Sequence, residues 1–241
     1  MRLRLTWTPS RVYCNHHSTP DSPRANWSPP GCYLEGFALC CRVNRTVYLV
    51  DGFNLYHSLA DAQLDHSGRT TKWLDLTALC SKLLPYVRRV RGETAVLSDI
   101  FYFSAPPTHR SKSKQARHAL YMRCLLGTGV HVSLGQFKRG AEKETDVAIA
   151  AKLFEVCQTD MAESIVLVTG DTDLASAVRT CHGLFPQKTM LFAFPYLRVN
   201  DELRAIAPGS FKIHAKTYSH NQFPNPLVLP DGTSIAKPPT W

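Results

Sequence analysis

Thr46-Val47-Tyr48-Leu49-Val50-Asp51-Gly52 is a run of β-branched, aromatic and aliphatic residues that stops on an acid and a glycine. A short apolar run closed by a turn signal reads as a buried strand. Helical spacing begins at once, over 53–60, so the first unit is strand, acid, helix.

The same grammar repeats outward from this unit. Residues 74–84 place Leu76, Leu79, Cys80, Leu83 and Leu84 on one helical side, with Pro85 marking the end. A second strand covers 95–104, a basic helix 110–126, a third strand 130–137 and a further helix 145–157. A fourth strand over 164–169 runs into the tight turn Gly170-Asp171-Thr172-Asp173 and a helix over 174–181. A strand over 188–194, a short helix over 201–206 and a last strand over 211–213 complete the pattern. Strands alternating with helices at these lengths call for parallel β-α-β units, with helices covering both faces of one sheet. The fold class is therefore α/β.

Composition bounds the rest. A chain of 241 residues with 44% hydrophobic and 20% charged content suits one domain with a tail. Residues 1–45 are rich in Pro, Ser, Asn and Arg and read as a disordered tail or a non-native extension; 46–215 is the organised domain, and 216–241 an extended arm. The net charge of +9 favours an anionic partner, since clustered cations gain free energy by releasing counterions from phosphate chains. No window approaches the length of a membrane span, which points to a soluble, cytoplasmic protein without a membrane partner. The eight cysteines form no C-x-x-C pair, which argues against structural zinc and for reduced thiols.

The chemistry is expected where strands end. In an open α/β sheet, ligands bind outside the carboxyl ends of the strands, at the point where strand order reverses. Asp51 ends the first strand and Asp171 follows the fourth; if these strands are neighbours, both carboxylates enter one crevice. Asp173 is on the same turn, Asp146 starts the helix after the third strand, and Asn54 lies near the start of the first helix. Crowded carboxylates need a proton or a cation, and an oxygen-only donor set suits Mg²⁺ or Mn²⁺. The corresponding reaction is metal-assisted attack of water on a phosphodiester, with Asn54 orienting substrate or water. Arg110, Lys112, Lys114 and Arg117 on one helix start, with Lys138, Arg139 and Lys143 before Asp146, are the candidate phosphate-binding residues.

Each residue also has a plainer role. Asp-Gly is common turn chemistry, Asp171 can cap a helix and Asp173 can complement its dipole. Lys112, Lys114 and Arg117 can form a solvated helix face. His57, His109, His118 and His131 share no metal spacing and read as surface or packing residues. A haloacid-dehalogenase-like phosphatase needs a second Asp two residues after the first, where Phe53 stands. A receiver domain needs an Asp ending the third strand, where Phe137 and Lys138 stand.

The motifs resemble those of NYN domains, in the bacterial LabA-like branch of the PIN-like nucleases. The matching pieces are Val50-Asp51-Gly52-Phe53-Asn54-Leu55, Tyr102-Phe103-Ser104-Ala105, Gly135-Gln136-Phe137, Glu142-Lys143-Glu144-Thr145-Asp146-Val147 and Val168-Thr169-Gly170-Asp171-Thr172-Asp173-Leu174. The ending, with Gln222-Phe223-Pro224 and Lys237-Pro238-Pro239-Thr240-Trp241, also looks like tails of bacterial members. The resemblance implies a PIN-like three-layer fold with a mostly parallel sheet. It also implies a Mg²⁺ or Mn²⁺ site built from Asp51, Asp146, Asp171 and Asp173, with Asn54 beside it, and cleavage of RNA, read as endonucleolytic. A homo-oligomer is compatible with it. The chain departs from many relatives in having Ala150 and Lys152 where a further acid follows Asp146, which counts against a second metal. The alternative function is a non-catalytic PIN-like module that binds RNA or a protein partner.

Overall fold

The computed structural model describes residues 43–65, 70–138 and 141–241. Most of the expected tail, together with Cys14, Cys32, Cys40 and Cys41, lies outside the described residues.

β1 (Asn44–Asp51) is flanked on both sides by parallel partners, which is why it carries apolar side chains on both faces. Alternation then sorts those side chains into two cores. Tyr48 and Val50 join the cluster under α1 (Gly52–Asp65) and α2 (Leu76–Arg91). Val47 and Leu49 join the cluster under α4 (Thr145–Gln158) and α5 (Ala175–Leu184). The next central strand, β6 (Ser164–Val168), divides in the same way, with Val166 and Val168 on one side and Ile165 and Leu167 on the other. The result is three layers, helices over both faces of one sheet.

The sheet also contains β2 (Ala95–Ser104), β3 (His131–Leu134), β7 (Thr189–Phe194) and β8 (Gly209–Lys212). Its order is β3-β2-β1-β6-β7-β8, and all five pairings are parallel. The chain winds outward from β1 to β3, returns to β6 and winds the other way. The reversal therefore lies between β1 and β6, the place where an α/β sheet opens a crevice.

Three features differ from the sequence reading. α2 does not stop at Pro85 but runs to Arg91 and ends at Gly92, whose φ of 74° and N–H bond to the Arg88 carbonyl form a left-handed cap. Pro85 is exposed, and Val87 continues beyond it the buried stripe of Leu76, Leu79, Cys80 and Leu83, so burial outweighs the lost backbone bond, a cost of about 3 kcal/mol. The strand expected over 130–137 divides at Gly135, whose N–H bonds the Ser104 carbonyl at 2.8 Å. After it, β4 (Gln136–Lys138) leaves the sheet and pairs antiparallel with β5 (Ala141–Lys143).

The third difference concerns the stretch expected as an extended arm. It holds α7 (Ala215–His220) and a small ribbon of β9 (Leu227–Val228) with β10 (Ser234–Ile235). Phe223, Leu227, Leu229 and Ile235 are buried in the α1/α2 core, and Trp241 packs against it. Apolar residues spaced too irregularly for a helix or strand period here return the chain to the domain. α3 (Lys112–Gly127) and α6 (Asp201–Ile206) complete the fold.

Candidate metal centre

Register places the first two acids. Val50 of β1 stands opposite Val168 of β6, so the residues leaving both strands, Asp51 and Thr169-Gly170-Asp171, emerge side by side. Asp51 is 4% exposed and is fixed from two directions. Its Oδ1 accepts the N–H of Asn54 at 2.9 Å, and its Oδ2 accepts the hydroxyl of Thr169 at 2.9 Å. The Thr169 hydroxyl oxygen in turn accepts the N–H of Asp171 at 3.1 Å. Asn54 closes the frame from the helix side, its Oδ1 accepting the Gly170 N–H at 3.1 Å. One strand end, one helix start and the β6 turn are thus bound into a single unit.

Two glycines allow this closeness. A Cβ on Gly52 would sit 2.5 Å from the Tyr102 ring and 2.6 Å from the Phe103 carbonyl oxygen of β2. A Cβ on Gly170 would sit 2.0 Å from the Arg198 carbonyl oxygen. Gly52 and Gly170 are required by the approach of other segments, not by turn conformation.

Asp146 comes from the first turn of α4. One carboxylate oxygen from each of Asp51, Asp146 and Asp171 lies within 4.8 Å of the others. Burial, followed by the negative charges of Asp171 and Asp173, holds the Asp146 carboxyl above its ordinary value. Three hard oxygen donors at this spacing form a set that fits a hard divalent cation such as Mg²⁺ or Mn²⁺.

Asp173 is not brought into this group among the described residues. Its side chain is exposed in the 3₁₀ turn Thr172–Leu174, and its backbone N–H donates to Oδ1 of Asp171 at 3.1 Å. Its backbone makes the turn's contact, while its charge still reaches Asp146. Capping leaves Asp171 able to bind a cation, because one oxygen caps the turn and a carboxylate has further lone pairs.

The basic residues divide. Arg110, Lys114 and Arg117 line a cavity of about 390 Å³ whose wall also contains Gly52 and Phe53, the two residues after Asp51. Lys112 is exposed and is not part of that wall. Arg139 and the side chains of Lys138 and Lys143 lie outside the described residues. The sequence reading missed Lys72, Tyr56 and Trp241 in this wall, and gave His57, His109 and His118 no site role although all three line it. The signal available was the spacing of Phe53, Tyr56 and His57, which share one side of α1.

A crystal structure of a protein of unknown function from Vibrio parahaemolyticus superposes with a TM-score of 0.49 at 18% identity, covering 71% of this chain and 93% of that one. No curated protein matches the sequence. The NYN domain model matches residues 45–213, which run from β1 through β8 and include Asp51, Asn54, Asp146 and Asp171. The match spans more than half of the sequence, and the chain belongs to the NYN domain family.

Proposed function

We propose that this protein is a divalent-metal-dependent ribonuclease that hydrolyses RNA phosphodiester bonds at Asp51, Asp146 and Asp171. The observation that carries the reading is the convergence of these three carboxylates within 4.8 Å at the point where sheet order reverses. Family membership supports it, as does the basic wall beside the cluster.

Asp51, Asp146 and Asp171 would hold one Mg²⁺ or Mn²⁺. When bound, such an ion supplies activation of water and neutralisation of charge at the phosphate. The chain's own contribution is rigidity at the donor atoms. Thr169 and Asn54 fix the Asp51 carboxylate and the Asp171 turn relative to each other, so the donor set is assembled before substrate arrives. Asn54 acts here as a positioning residue through its bond to Gly170. Asp146, whose carboxyl is destabilised as an anion by burial and by the charges of Asp171 and Asp173, is the donor that gains most from a cation at this point. The backbone N–H of Asp173 holds Oδ1 of Asp171, and Arg110, Lys114 and Arg117 attract the RNA backbone.

The sequence motifs support placement in the LabA-like branch. No helix among the described residues is long and apolar enough to cross a membrane. Cys80, Cys124, Cys157 and Cys181 are buried free thiols, which supports the reading of a cytoplasmic enzyme. Incubation of purified protein with single-stranded RNA and Mg²⁺, Mn²⁺ or chelator tests the proposal. Metal-dependent cleavage is expected, and cleavage that proceeds equally in chelator contradicts it.

A further inference from the structure

The wall of the cavity beside the acidic cluster has an unusual balance. It contains four cations, Lys72, Arg110, Lys114 and Arg117, and no Asp or Glu. Among the described residues none of the four forms an ion pair. Lys72 is partly buried; burial, and then the charges of Arg117 and Lys114, lower its affinity for its proton. Cations crowded without a carboxylate gain from an anion, as carboxylates gain from a metal.

The remaining wall is aromatic. Phe53 is 52% exposed and Tyr56 48% exposed, an unusual placement for two large rings on one helix side. His57 meets Phe53 edge to ring at 4.5 Å, and Lys72 Nζ lies 5.8 Å from the Tyr56 ring centre. Tyr121 and Trp241, 5.8 Å apart, contribute to the floor. The volume of about 390 Å³ is within the range of small-molecule sites.

An occupant must therefore be at once anionic and flat. We propose that the cavity takes one unstacked nucleotide of a single-stranded RNA, its base against Phe53 and Tyr56 and its phosphate on Lys114 and Arg117. This inference rests on the ribonuclease reading for its location next to the scissile bond. It adds a substrate class, since a base held in a duplex stack cannot enter a side-chain pocket, whereas an unstacked one can lie on an aromatic ring.

The test is titration calorimetry of the full chain in chelator with the four ribonucleoside monophosphates, the matching nucleosides and inorganic phosphate. A monophosphate is expected to bind at least about tenfold more tightly than its nucleoside or inorganic phosphate, in the range of one base stacking on one ring. Tyr56→Ala and Lys114→Ala, both at exposed positions, are each expected to weaken it several-fold, with unchanged circular dichroism. Monophosphates that bind no better than inorganic phosphate, or wild-type binding in both variants, overturn the proposal. Metal-dependent cleavage measured on the same preparation decides the ribonuclease reading separately: cleavage without nucleotide binding defeats only the pocket, and binding without cleavage defeats only the nuclease.

Discussion

The hydroxyl of Thr169 donates to Oδ2 of Asp51 at 2.9 Å, linking the ends of two neighbouring strands through a buried side chain. The same oxygen accepts the Asp171 N–H, so a single atom sets the positions of two acids of the cluster. Thr169→Val keeps the shape and removes both bonds. It is expected to lower RNA cleavage by about tenfold to 100-fold, as loss of an outer partner of a metal ligand does. Denaturant unfolding should show a loss of about 1–3 kcal/mol from the two hydrogen bonds removed. Wild-type turnover in this variant would remove Thr169 from the account.

Asp146 carries the opposite kind of effect. Its raised proton affinity means that the folded chain binds a proton more tightly than the unfolded one. Stability from this group is therefore present at low pH and lost as pH rises through the folded value. Asp146→Asn is expected to raise Tm by a few degrees in chelator at neutral pH and to abolish cleavage. Added Mg²⁺ or Mn²⁺ should stabilise wild type more than the variant. Equal metal-dependent gains in Tm would contradict a ligand role for Asp146.

The two glycine environments give a paired expectation. Gly170→Ala places a methyl group 2.0 Å from a backbone oxygen of Arg198, a residue whose guanidinium is itself held by Asp61 at 2.6 Å. A loss of about 1–3 kcal/mol or more is expected. Gly183, exposed within α5 with open space around its Cβ position, should gain about 1 kcal/mol on substitution by Ala. Chemical denaturation of both variants tests the contrast directly.

Much of this site was legible in the sequence for a physical reason. Where a strand must be buried on both faces, its apolar run is continuous and its end is marked, so Asp51 and Asp171 could be placed without coordinates. Their adjacency was not, because it depends on which strands pair. Asp173 is exposed in a first turn, and an acid there has the same sequence signature as a ligand, so its distance from the triad was not legible. Pro85 misled because an exposed proline within a strongly buried stripe does not end a helix. The aromatic wall was missed because Tyr56, Lys72 and Trp241 meet only after the chain beyond 215 folds back onto α1 and α2.

The start of β1 has its own pH dependence. Glu163 accepts the Arg45 backbone N–H at 2.7 Å and Nη2 at 2.6 Å, and this partner holds its carboxyl below the ordinary value. A lowered folded value stabilises above the unfolded value and is lost as pH falls through the folded one. Glu163→Gln is expected to lower Tm by a few degrees at pH 7, with the gap closing on acidification. A gap independent of pH would assign Glu163 a packing role only.

Asp51, Asp146 and Asp171 are expected to act as one metal-dependent catalytic centre. The most direct measurement is cleavage of single-stranded RNA by wild type and Asp171→Asn, prepared in parallel and assayed with Mg²⁺, Mn²⁺ and chelator. Wild type is expected to cleave with metal, and the folded variant to show no cleavage above the chelator control. Undiminished cleavage by Asp171→Asn, or no cleavage by wild type with either ion, would contradict this.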